Sequence, residues 1–277
     1  VQSLEYAFAD DIKKLVKEKS KKIAILKGNG ELGDIYIQDF LKTVQPYYNL
    51  APFTLDSVAT NLEGTLKNLE SYDLIVAAKP SEAFTENEKL VLDQYTMNGG
   101  KSLWLTEAVI MDKDSLYNDS GSSVSIMRDL NLKDFFFKYG FRINPSLVKD
   151  LYSAPIMLAI GEGSQTQMQP IQWQYSPLAK SNSENAITKN INLVKYDFAS
   201  PIDTLKNGVK KTILLQSSPQ SKLEGALKTI SLADVTKSPD EASYNKGPQN
   251  LAVLLEGEFT SVYDKRILPT KIKDFKS

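Results

Sequence analysis

Apolar residues recur at Leu4, Phe8, Ile12 and Leu15/Val16, an interval that predicts an amphipathic helix within residues 1–22. Lys13, Lys14, Lys17, Lys19, Lys21 and Lys22 gather toward its C-terminal end, where cations complement the helix dipole. Such a basic helix suits a solvated face, a membrane surface or an acidic partner. Ile23 to Leu26 then reads as a short buried strand, followed by a turn over Gly28–Gly33. The next helix spans Leu32 to Val44, with Ile37, Phe40/Leu41 and Val44 on one face and Pro46 just past its end. Phe53 to Asp56 suggests a second strand, and Tyr72 to Ala77 is the clearest central one. Thr85 and Glu88 have capping-box spacing at the start of another helix, which Asn98, Gly99 and Gly100 terminate before a strand over Lys101–Leu105. Short apolar strands alternating with helices predict a doubly wound, mostly parallel α/β sheet with helices on both faces.

Beyond Leu105 the pattern loosens. Met111 to Ser125 is rich in Asp, Asn, Ser and Gly and reads as a long polar loop. Asp129 to Tyr139 predicts a helix bearing Phe135, Phe136 and Phe137, capped by Gly140. Extended pieces follow at Phe141–Ile143, Ser146–Leu151, Ile156–Ile160, Leu193–Phe198, Lys211–Leu215 and Leu251–Leu255, with a polar loop over Gly161–Gln169 and a loose connection from Ser238 to Gly247. Leu251–Leu255 is expected to join the parallel sheet. With no internal repeat and no distinct linker, the expected organisation is an N-terminal helix over 1–22, one α/β domain over 23–265 with an elaborated C-terminal half, and a tail over 266–277.

Composition narrows the chemistry. The 277 residues carry 33 basic and 34 acidic side chains, so no global charge draws the chain to nucleic acid or an anionic bilayer. The absence of Cys removes disulfides, thiolate nucleophiles and Cys-ligated metals, and the absence of His removes histidine-based triads and most zinc sites. Catalysis would fall to Asp, Glu, Lys, Tyr or Ser. The sequence shows no secretory leader and no apolar run approaching about 18 residues. Because it begins at Val1, it reads naturally either as a soluble protein or as a soluble segment of a longer polypeptide.

Gly28, Gly30 and Gly33 spell G-x-G-x-x-G between a strand and a helix, the context of a dinucleotide site. Lys27 precedes the motif, Glu31 and Asp34 stand where phosphate would sit, and Asp56 comes late for a ribose-binding acid. The turn therefore reads as structural, with Gly28, Asn29, Gly30, Glu31 and Asp34 retained as ligand- or partner-contact candidates. Glu107, Asp112 and Asp114 follow a strand end, where α/β sites commonly lie, but lack convincing metal spacing, and Glu107 stays a ligand- or partner-contact candidate. Trp173 and Tyr175 suit either stacking on a ligand or packing in a sheet. No catalytic residue, metal ligand or cofactor is assigned.

Several stretches carry a resemblance. They are Gly28-Asn29-Gly30-Glu31-Leu32, the run from Tyr72 to Pro80 with the following Phe84-Thr85-Glu86, Asn98-Gly99-Gly100-Lys101, and the long segment from Tyr244 to Tyr263. Together they resemble the GldG-type family of gliding-motility-associated ABC transporter auxiliary proteins of Bacteroidetes, which are substrate-binding-like. The resemblance implies a membrane-anchored protein with an extracytoplasmic (periplasmic) domain and transmembrane helices outside this segment. It also implies a permease subunit and a cytoplasmic ATPase as partners. The implied fold is flavodoxin-like or class I glutamine-amidotransferase-like, distantly related to ciliary-transport proteins. Catalytic relatives of that fold use Cys and His, which this chain lacks, so no hydrolase chemistry carries over. The family's recurrent positions fall on Gly28, Gly30, Asp34, Asp73, Lys79, Pro80, Gly99, Gly100, Gly257 and Phe259, with Lys79 added to the contact candidates. The functional expectation is a non-catalytic component acting by protein contact or ligand capture. The alternatives are a carbohydrate- or peptide-binding module with Trp173–Tyr175 as its platform, and a carboxylate-dependent hydrolase.

Overall fold

A computed structural model describes residues 2–16, 19–161, 165–181 and 184–277. Where the sequence reading puts residues 23–265 in one domain, the chain falls into two compact units. One comprises Val1–Thr106, Leu130–Lys138 and Phe259–Ser277, and the other Glu107–Asp129 and Tyr139–Glu258.

The first unit is built on a four-stranded parallel sheet, ordered β2-β1-β3-β4. Its strands are β1 (Lys22–Lys27), β2 (Asn49–Thr54), β3 (Leu74–Ala78) and β4 (Ser102–Leu105). β1 and β3 are near-continuous apolar runs because both of their faces are covered. The helices are α1 (Gln2–Val16), α2 (Gln38–Val44), α3 (Leu62–Leu69), α4 (Glu86–Met97) and α5 (Lys133–Tyr139). Ile23, Ile25 and Val76 form a core against Ile37, Leu41 and Val44. Burying each such side chain contributes about 1.5–3 kcal/mol.

The predicted helix over Leu32–Val44 is shorter than expected. Asp34–Ile37 forms a 3-10 turn, and only Gln38–Val44 is α-helical. α4 has the predicted capping box, with Thr85 Oγ accepting from the Glu88 N–H while the Glu88 carboxylate accepts from the Thr85 N–H. Gly99 ends this helix at φ 91°, a left-handed conformation suited to glycine.

α1 forms where the periodicity places it, yet Leu4, Phe8, Ile12, Leu15 and Val16 are all exposed. On its polar side, Asp10 accepts a hydrogen bond from Tyr47, and Lys14 lies over the Tyr47 ring. Lys17, on which part of the basic run rests, lies outside the described residues.

The C-terminal segment completes this unit. Asp93 on α4 is fully buried, and its carboxylate accepts from Ser261 Oγ at 2.6 Å, the Val262 N–H at 2.9 Å and Gln94 Nε2 at 3.0 Å. Residues 266–277, expected as a tail, hydrogen-bond to α3 and α4 through Glu63, Asn87 and Gln94.

The second unit contains strands and no α-helix among its described residues. Its strands are β5 (Val109–Ile110), β6 (Ser122–Met127), β7 (Phe141–Ile143), β8 (Ser146–Asp150), β9 (Ser153–Ile160), β10 (Gln167–Ala179), β11 (Val194–Lys195), β12 (Ile202–Thr204), β13 (Lys210–Gln216), β14 (Ser221–Gly225), β15 (Lys228–Ser231) and β16 (Asn250–Glu256). All of their pairings are antiparallel. The expectation that Leu251–Leu255 joins the parallel sheet is therefore corrected. That apolar run is β16, and it pairs antiparallel with β13.

The predicted polar loop over Met111–Ser125 is also corrected, since it holds a 3-10 turn at Lys113–Leu116 and the start of β6. In the Gly161–Gln169 loop, Glu162 to Ser164 lie outside the described residues, and β10 begins at Gln167. The core of this unit gathers Val109, Met111, Leu116, Leu147, Ile156, Trp173, Tyr175, Phe198 and Ile230. A smaller cluster forms around Val148, Ala179, Leu215 and Leu251.

Candidate ligand crevice

The sheet order reverses between β1 and β3, and open α/β sheets commonly bind ligands just outside the carboxyl ends of strands at such a point. Gly28–Asp34 and Lys79 lie there, so the topology does bring this group of predicted residues together. The space between them is filled by protein. The Asn29 carbonyl accepts from the N–H groups of Ser81 and Glu82, and the Leu32 N–H donates to the Ala78 carbonyl. Ser81 Oγ donates to the Gly30 carbonyl at 2.9 Å. A Cβ on Gly30 would stand 2.0 Å from Ser81 Oγ, and Gly30 also has φ 70°, so this glycine permits contact between two turns.

Charge completes the closure. The Glu31 carboxylate accepts from the Asn29 N–H at 2.9 Å, occupying a donor that a phosphate would need. Burial raises the Glu31 pKa against these backbone bonds and the nearby Lys27. Lys27 Nζ donates to the Leu32 carbonyl and pairs with Asp34 at 2.8 Å. Lys79, at φ 55° just past β3, gives its N–H to the Leu105 carbonyl. The helix that follows the motif is only Gln38–Val44, too short and too far along to offer a phosphate-binding N-terminus.

The second unit holds a crevice of about 420 Å³. Trp173 and Tyr175, two apart on β10 and thus on one face, form part of its wall. They are 1% and 2% exposed and pack with Phe198, so of the two readings the sequence left open the structure fits packing: both rings belong to the core. Across the crevice stand Lys149 on β8, Lys222 and Glu224 on β14, Lys228 on β15, and Asp234, Lys237, Asp240 and Tyr244 on the segments beyond.

Glu224 is the hub of this group. It accepts hydrogen bonds from the Tyr175 hydroxyl and from Lys228, and Lys149 Nζ lies 3.8 Å away. Burial acts to raise its pKa, but Lys228, the Tyr175 hydroxyl and Lys149 outweigh burial and hold the carboxyl below its ordinary value. Burial and the bond to Glu224 push the Tyr175 hydroxyl well up, so it remains a donor. Lys149 Nζ sits 4.7 Å from the Tyr175 ring centroid, within cation–π range. Its pKa is lowered, first by burial and then by Lys228 and Lys222 against Glu224. Burial pushes Tyr244 up to about 12. At the rim, Asp234 and Lys237 pair at 2.8 Å.

Glu107 lies in the second unit beside Arg128 at 3.6 Å, in an ion pair rather than in the crevice. Asp112 stands at the N-cap of the 3-10 turn at Lys113–Leu116 and Asp114 lies in its first turn, and no group of three potential metal ligands occurs among the described residues. The lysines and Glu224 escaped the sequence reading because only strand register brings them together. The one available signal was Lys222 and Glu224 at period-two spacing, which puts both on a single strand face.

The architecture is thus a mixed α/β protein with a parallel-sheet unit whose switch point is closed and an antiparallel unit with a lysine-lined crevice. The chain belongs to the family described as "ABC-type uncharacterized transport system", whose model matches residues 20–277. Membership makes it an auxiliary component of an ABC-type transport system, with permease and ATPase components as its partners in general terms. No curated protein matches the sequence. Among solved structures it is similar to the mmIFT52 N-terminal domain, at 15% identity and TM-score 0.48 over 82% of this chain and 83% of that one.

Proposed function

We propose that the chain is a non-catalytic, extracytoplasmic component of an ABC-type transport or gliding-motility assembly. In this reading it works by contact with a membrane permease subunit, and through it a cytoplasmic ATPase, and by capturing a ligand. The family match over residues 20–277 carries the reading. In this reading membrane attachment is by helices outside residues 1–277, as the resemblance implies; no described helix is long and apolar enough to cross a bilayer. The strand order β2-β1-β3-β4 supports a flavodoxin-like assignment for the parallel-sheet unit.

Three observations favour a non-enzymatic role. The chain has no Cys or His, the switch point is filled by its own turns, and the crevice carboxylate Glu224 is held ionised by lysines instead of being poised as an acid. A partner contact has a concrete candidate in α1, whose exposed Leu4, Phe8, Ile12, Leu15 and Val16 form an apolar stripe suited to a permease subunit.

The test is in-cell photo-crosslinking of the full-length protein, with the reactive group placed at Phe8 or Ile12. Recovery of a permease subunit from these positions, and not from exposed Lys210, supports the reading. Capture of no membrane component from any position overturns it.

A further inference from the structure

Lys149 and Lys222 face each other directly across the antiparallel pair formed by β8 and β14. Like charges in such cross-strand positions repel and destabilise the pair. One carboxylate, Glu224, stands between Lys149 and Lys228, and it is already engaged by Lys228 and by the Tyr175 hydroxyl. Among the described residues, Lys222 Nζ has the Ser243 hydroxyl, at 3.2 Å, and the Tyr244 ring, at 5.8 Å.

The remaining charges do not cancel this surplus. Asp234 pairs with Lys237 at the rim and also acts on Lys149, and Asp240 adds one further carboxylate, so the described lining holds four lysines against three acids. Trp173 also lines the cavity, and its buried indole Nε1–H meets no acceptor among the described residues. An unmet buried donor beside crowded cations is unfavourable unless an acceptor-rich group enters. The lowered pKa of Lys149 agrees, since added negative charge would relieve it.

We propose that this crevice binds a small organic anion, whose carboxylate or phosphate group bridges Lys149 and Lys222 while its body lies against the Tyr244 side of the cavity. A volume of about 420 Å³ sits at the small-molecule end of ligand sites. Tyr175 and Glu224 are occupied with each other, which leaves the ammonium groups as the recognising elements. The inference rests on the ligand-capture arm of the proposed function and supplies the class of ligand.

The test uses the whole chain and its two tryptophans, each of which gives one indole cross-peak in a proton–nitrogen NMR spectrum. Trp104→Phe assigns the pair, and the Trp104 signal, from the parallel-sheet unit, serves as internal control. The probes are glucuronate, inorganic phosphate and glucose, so that charge and body are varied separately. The expected result is a saturable shift of the Trp173 signal with glucuronate and phosphate, and none with glucose up to ~20 mM, a range that reports even millimolar affinity. Lys222→Met should weaken anion binding by about 10-fold, the order expected for one charge-assisted contact. Asp240→Asn, at a rim position, should strengthen it by a few-fold as one repelling charge is removed.

Absence of a saturable shift with both anions overturns the proposal. So does a response to glucose equal to that for glucuronate, or anion affinity unchanged in Lys222→Met. Failure here would leave crosslinking to the permease subunit intact, and failure of crosslinking would leave the NMR result intact.

Discussion

The charged cluster around Lys89 in the parallel-sheet unit and the one around Glu224 in the antiparallel unit are built in opposite senses. In the parallel-sheet unit Lys89, only 1% exposed, lies between Glu86 at 3.1 Å and Asp134 at 2.9 Å. Arg266 joins Asp134 at 3.1 Å, and the Tyr263 hydroxyl donates to the Glu86 carbonyl at 2.9 Å. Two cations meet two carboxylates, and the buried ammonium is the enclosed group. In the antiparallel unit a carboxylate is the enclosed group, with Lys149 and Lys228 around it and Lys222 opposite Lys149 across the strand pair. The first cluster closes on itself and joins α4, α5 and the C-terminal segment. The second has positive charge left over and opens onto a cavity. A balanced network is what structure alone requires, so the unbalanced one is where a functional explanation is needed.

The strongest way to break this contrast is through the core behind the crevice. Trp173→Ala should cost about 4 kcal/mol by leaving a cavity among Tyr175, Phe198 and their neighbours. Urea unfolding followed by circular dichroism would report it, and a loss below ~1 kcal/mol would mean the indole packs far less tightly than its burial implies.

Next, Lys89→Met should cost about 2 kcal/mol by removing the cation shared by Glu86 and Asp134. An unchanged urea midpoint would show that the first cluster is not structural. Gly30→Ala should cost about 1 kcal/mol, through a left-handed φ and the approach to Ser81. Thermal denaturation as stable as the parent would mean that the two turns are not in contact.

Acid should weaken both clusters. The carboxyls of Asp134 and Glu224 are held below their ordinary values, by Lys89 and by Lys228 respectively, against burial. Their contribution is complete above the unfolded carboxylate range and is lost as pH falls through the lower folded values. Thermal midpoints measured below about pH 4 should therefore drop, and Glu224→Gln should flatten part of that drop. An identical acid profile in Glu224→Gln would remove Glu224 as a contributor.

The smallest effect belongs to Lys222→Met. Relieving the repulsion across β8 and β14 should raise stability by about 0.3 kcal/mol, opposite in sign to Lys89→Met. A loss comparable to that of Lys89→Met would make the two clusters alike and sink the contrast.

Much of the parallel sheet was legible because β1 and β3 are unbroken apolar runs, and because Thr85, Glu88 and Gly99 mark helix ends by local chemistry. The antiparallel unit was not, for physical reasons specific to its strands. An apolar run such as Leu251–Leu255 signals burial but not the direction of its neighbour. β6 spells Ser-Ser-Val-Ser-Ile-Met, with polar residues frequent enough to imitate a loop. Helix α3 was missed because only Leu62, Leu66 and Leu69 mark its buried apolar face. At the crevice Trp173 and Tyr175 stood out as large aromatics, but nothing local separates a ring that stacks on a ligand from one that fills a core. Lys149 and Lys222 become neighbours only through register, which a single strand's text does not carry.

The path of the chain has a consequence for synthesis. Asp93 on α4 finds its partners at Ser261 and Val262, separated from it by 168 and 169 positions. While a ribosome is still making the intervening strands, that carboxylate lacks these two donors, and the parallel-sheet unit remains unfinished. The N-terminal unit is therefore the one that must wait, the reverse of the usual N-terminal-first order of domain folding. Any fragment ending before residue 261 lacks those two bonds permanently.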